Sequence, residues 1–105
     1  MDETLFNSLA ERELARIEDA FEVAGIDVEV QPGGVLQVEF DDGSQMIINR
    51  HTAAREIWVA AKLGGFHFRH DAGRWIGTRD GVELWPALER LASAQSGAAV
   101  KLAPD

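Results

Sequence analysis

The hydrophobic positions of this chain change their spacing along its length, and each change marks a new element. Between residues 3 and 24, Phe6, Ala10, Leu14, Ile17, Phe21 and Ala24 recur every third or fourth position. That period lines them along one stripe of an amphipathic helix. Gly25 stops it, because glycine accepts the left-handed backbone that commonly follows a last helical turn. The spacing then falls to two. Ile26, Val28 and Val30 alternate with Asp27 and Glu29. Leu36, Val38 and Phe40 follow the Pro-Gly-Gly turn at 32–34, and Met46 and Ile48 follow DDGS at 41–44, with Ile47 and Asn49 on the other side. This alternation predicts half-buried strands joined by hairpins.

The second half continues in the same period. In REIWVAAKLGGFHF (55–68), Ile57, Val59 and Ala61 share the inner face, which leaves Trp58 outside with Glu56, Ala60 and Lys62. Gly64 and Gly65 predict a turn, Phe66 and Phe68 flank an outward His67, and HDAG at 70–73 predicts another turn. RWIG follows as a short strand in which one of Trp75 and Ile76 must face out. Asp80 with Glu83 reads as a capping box for a last helix burying Leu84, Trp85, Leu88, Leu91 and Ala92, with Pro86 just past the first turn. Residues 98–105 read as a flexible tail, leaving one domain over 1–97. Tight turns make the strands antiparallel, and two terminal helices cover one face. The expected fold is α+β: a two-layer sandwich with an antiparallel sheet of about six strands.

Charge sharpens this picture. Net charge is −8, and nine of the eighteen acids lie within residues 1–29, against only Arg12 and Arg16. One end of the molecule is therefore strongly negative, which attracts cations and basic surfaces and disfavours nucleic acid. On a helical wheel Glu11, Glu18 and Glu22 fall within roughly 40° of one another, with Asp19 on their flank. Asp27 and Glu29, if they point outward from the adjacent strand, extend this stripe into a ridge. Carboxylates suit hard cations and ferrous iron with water, though an acidic stripe is also the ordinary solvated face of a helix. The absence of cysteine excludes disulfides, thiolate metal sites and thiol catalysis. No catalytic triad order, nucleophile elbow or phosphate loop stands out, so no enzyme is expected. No segment approaches the length of a membrane span or reads as a signal peptide, and a cytoplasmic monomer is the default.

GGVLQVEFDDGSQMIINR (33–50), IWVAAKLGGFHF (57–68) and RWIGTRDGVELWPALE (74–89), in this order between two helices, resemble the bacterial frataxins of the CyaY type across residues 2–97. The resemblance implies a role in iron–sulfur cluster assembly. It implies weak, exchangeable binding of Fe²⁺ and Fe³⁺ by Glu11, Glu18, Asp19, Glu22, Asp27 and Glu29. It further implies docking on a cysteine desulfurase and its iron–sulfur scaffold protein, with Glu18, Asp19 and Glu22 meeting the former and Asn49 and Trp58 contacting the assembly. Two other roles stay open: a ferroxidase-like iron store or donor, and an acidic interaction module whose metal binding is incidental. The acidic run after the first helix is short here, EVAGID, which argues for fewer iron sites. Without the family, Trp58 packs equally well on the stems of Arg50 or Lys62.

Overall fold

The computed structural model describes residues 1–104. The order is α1 (Glu3–Val23), β1 (Asp27–Gln31), β2 (Val35–Glu39), β3 (Gln45–His51), a 3-10 turn (Thr52–Ala54), β4 (Glu56–Ala61), β5 (Gly64–Asp71), β6 (Arg74–Gly77) and α2 (Leu84–Ser96). The strands form one antiparallel sheet in sequence order, β1 to β6. The α+β sandwich expected from the sequence is therefore the observed one. No helix among the described residues is long and apolar enough to cross a membrane.

Local chemistry sets the ends of α1. The Asp2 side chain accepts the Leu5 N–H at 2.8 Å, satisfying one of the donors a helix start leaves open. At the other end Gly25, at φ +77°, gives its N–H to the Glu22 carbonyl, while Ile26 reaches back to Phe21. This is a Schellman stop, and it joins the last acidic turn of α1 directly to β1. Ala24, on the apolar stripe by spacing, is an exposed cap.

The core lies between the helices and one sheet face. Phe6, Ile17 and Phe21 of α1 meet Leu36, Val38, Met46, Ile48, Ile57 and Phe68 of the sheet and Leu84, Leu88 and Leu91 of α2, all essentially inaccessible. Each such side chain contributes about 1.5–3 kcal/mol on burial. Two buried polar groups pin the layers. Glu13 accepts the Trp85 indole N–H at 2.5 Å and an Arg16 guanidinium at 2.9 Å, joining the helices. Gln95 accepts the Lys62 N–H and donates to Ser44 Oγ and the Gln45 carbonyl, fastening the end of α2 to two hairpins.

Several expectations shift. Helix α2 starts at Leu84, not after Asp80, because Asp80 Oδ1 takes the Val82 N–H in a turn and Glu83 caps without its side chain. Pro86 thus sits inside the first turn, where its missing N–H costs nothing. Trp85 is half-buried because its indole N–H reaches out to Glu13. Trp75 faces the core, edge-on to Phe6, and Ile76 faces out. Val30, on the edge strand, is 50% exposed. The turn before β5 is Lys62–Leu63, and both glycines belong to the strand. The tail is tied down as far as it is described: Ser93 Oγ holds the Val100 N–H, Glu89 holds the Leu102 N–H, and Leu102 is buried in the core. Asp105, the end of the segment read as a tail, lies outside the described residues.

Candidate functional site

The six carboxylates of the expected ridge occupy two sides of the β1 edge. Those of α1 lie in the helix layer. Glu11 is committed: it takes the Arg50 guanidinium at 2.8 Å. Glu18 is half-buried in a groove with Val30, Gly34 and Leu36, whereas Asp19 and Glu22 are exposed beside Val23 and Lys101. Asp27 and Glu29 do point outward, but from the sheet face opposite α1, where they stand across from Glu39 and Gln37. The acids therefore wrap around an edge instead of converging. Among the described residues no group of three His, Asp or Glu side chains is placed to hold a metal ion together.

Electrostatically this end is negative, although Arg16 and Lys101 line the groove that holds Asp19 and Glu22. Glu18, Asp19, Glu22, Asp27 and Glu29 enter no salt bridge among the described residues. The last turn of α1 carries no basic residue, and Glu22 within it adds to the negative pole of the helix dipole. The Asp27–Glu39 pair sets like charges directly opposite, which is unfavourable. Glu39 was missed by the sequence reading. The signal was present: a hairpin closing at residues 32–34 registers residue 27 against 39.

The open sheet face holds the second cluster. Asn49, Trp58 and His67 lie in one row across β3, β4 and β5. Trp58 is half-buried and flat. His51 stacks on it at 4.0 Å between centroids and 10° between planes, and His67 lies at 4.6 Å. Glu56 Oε1 accepts the Trp58 Nε1–H at 3.0 Å and sits 3.0 Å from His67 Nδ1. Desolvation pushes the Glu56 carboxyl up, but the bonds from Trp58 and His67, with the charges of His67 and Arg69, outweigh it and hold it below the usual range. Among the described residues neither Arg50 nor Lys62 makes a cation–π contact with Trp58; their charged heads pair with Glu11 and Asp42. His67 and His70, which the sequence set close together, lie on opposite faces, His70 against Trp75. They cannot share an ion. The role of His51 was not legible, since only the folded strand brings it to the indole, whereas Glu56 already shared the face of Trp58 by alternation.

Residues 1–98 match the family model of the frataxin-like domain. The iron-sulfur cluster assembly protein CyaY of Dechloromonas aromatica (strain RCB) is 55% identical, the alignment covering 97% of this chain and 99% of that protein. The solved frataxin of Psychromonas ingrahamii superposes with a TM-score of 0.86 at 31% identity, covering 96% and 97% of the two chains. A trimeric frataxin of the yeast Saccharomyces cerevisiae, complexed with ferrous iron, shares the fold at a TM-score of 0.66 and 24% identity, over 92% and 88% of the chains.

Proposed function

The chain belongs to the frataxin-like family, and from that premise we propose that it is a non-enzymatic, iron-binding regulator of iron–sulfur cluster assembly, working in the cytoplasm. The observation that carries this reading is the set Glu18, Asp19, Glu22, Asp27 and Glu29, which enters no salt bridge among the described residues and surrounds the end of α1 and the β1 edge. Iron arrives there as cargo. The spread of the acids supports weak capture, with few protein oxygens per ion and water completing the shell. Glu11 joins only by giving up Arg50. The same negative end suits a basic patch on a cysteine desulfurase, and the Asn49–Trp58 row suits the scaffold protein bound beside it.

An anaerobic Fe²⁺ titration of isotope-labelled protein followed by amide NMR tests the metal half. Signals of residues 18–22 and 27–29 are expected to shift or broaden first, and Glu11 later. Silence there at millimolar iron would remove iron from the proposal. Binding to the desulfurase should weaken as salt rises; salt-independent binding would remove the electrostatic docking. One observation favours a second reading, an acidic docking module with incidental metal binding: the carboxylates are placed as a surface and not as a cage. Full regulation of the desulfurase by metal-free protein would select it.

A further inference from the structure

Strand β6 is shorter than the strand it borders. Its pairing with β5 ends at Phe68 opposite Gly77, and the Thr78 N–H adds one more bond, to the His67 carbonyl at 2.9 Å. The chain then folds back on itself. Gly77 N–H reaches the Val82 carbonyl at 2.7 Å, and Gly81 N–H returns to the Gly77 carbonyl at 3.0 Å. A Cβ on Gly77 would stand 2.6 Å from Asp80 Oδ1, so this loop is tightly packed. Residues 64–66 of β5 consequently pair with β4 on one side and face no strand on the other. Such an edge offers backbone donors and acceptors to another extended segment.

The gap has walls. A cavity of about 150 Å³ runs along it, lined by Gly65 and Phe66 of β5, Arg79 of the loop, and Ala87 and Arg90 of α2. The Arg90 guanidinium lies 5.9 Å from the Phe66 ring centroid. Neither Arg79 nor Arg90 enters a salt bridge among the described residues. Asp80 also lines the cavity, with Oδ1 held by the Val82 N–H at 3.1 Å. In a chain of net charge −8, two guanidiniums without ion pairs beside one open strand edge reverse the local sign.

We propose that the open edge of β5 at Gly64–Phe66, where Gly65 carries the backbone groups that point away from β4, accepts a short, extended, acidic segment of a partner protein, which lengthens the sheet and sets a carboxylate between Arg79 and Arg90. Backbone bonds would supply the pairing and the guanidiniums the preference for acid. This surface is separate from the acidic end and opposite to it in charge.

The test is an amide NMR titration of the full chain with a blocked hexapeptide of alternating valine and glutamate. Shifts are expected at Gly64–His67, Thr78–Asp80 and Arg90. The double variant Arg79→Gln, Arg90→Gln, its fold verified by unchanged signals elsewhere, should bind about tenfold more weakly. The same peptide with lysine for glutamate, or with N-methylated backbone, should not bind. Comparable binding of either control would overturn the proposal, as would shifts confined to the Trp58 face or no shift at millimolar peptide. An equal response to free glutamate would also overturn it, since that marks a carboxylate pocket and not a strand acceptor.

Discussion

Replacing Glu22 by Gln should strengthen the fold while weakening its hold on cations. Glu22 is exposed in the last turn of α1, one turn beyond Glu18, with no ion-pair partner among the described residues. The like charges at i and i+4 cost about 0.2–0.5 kcal/mol. A carboxylate against the negative pole of the helix costs about 0.3–1 kcal/mol more at low ionic strength. Glutamine and glutamate have similar helix propensities, so charge is the main change. The gain of about 0.5–1.5 kcal/mol corresponds to a rise in Tm of about 2–7 °C for a domain of this size. Thermal melts followed by circular dichroism at about 10 mM and about 1 M salt provide the assay, because the screening length falls from about 30 Å to about 3 Å between them. The gain should be present at low salt and nearly gone at high salt, and the variant should need more Fe²⁺ for the same spectral change. A lower Tm at low salt, or a gain unchanged at high salt, would refute the charge argument.

Three further outcomes follow from the geometry. Gln95→Leu removes the partner of the Lys62 N–H and the Gln45 carbonyl in a partly buried site, and should cost about 1–2 kcal/mol, read as a lower urea midpoint. Ala72 holds a left-handed backbone at φ +51° in the two-residue turn between β5 and β6, so Ala72→Gly should raise stability by about 1 kcal/mol. The Glu56 carboxyl is depressed in the fold, so its contribution is complete above the unfolded carboxyl value of about 4.3 and is lost as pH falls through the lower folded value. Glu56→Gln should therefore be less stable than the parent at neutral pH, with the difference closing in acid; a difference constant with pH would count against the Trp58–Glu56–His67 arrangement.

What the sequence made legible was local. The stripe of α1, the alternation of the strands and most of the turns between them depend on neighbours a few positions apart, and they led to an antiparallel sheet of about six strands. What it hid depends on distant partners. Asp80 looks like a helix cap until Val82 claims its side chain. Glu13 lies within the apolar stripe of α1, a hint of burial, but its reason is Trp85. Leu102 lies within the stretch 98–105 that reads as loose, and only the core shows why it is held. For the candidate site, periodicity set the acids of α1 beside one another on the helix but left open which grooves they line and which way Asp27 and Glu29 point. The sheet face decides that, and it separates the acids into two groups around an edge.

The uncrossed order of the sheet has a consequence for synthesis. Every strand bonds only to its neighbours in the chain, so each hairpin can close soon after it emerges from a ribosome. The lid over part of the inner face comes later, because α2 and Leu102 follow β6 in the chain. Until they arrive, residues such as Phe68 and Trp75 lack part of their cover, and the nascent chain passes through a stage exposed to aggregation. Slowing translation before residue 84 would lengthen that stage; fast delivery of the last helix would shorten it.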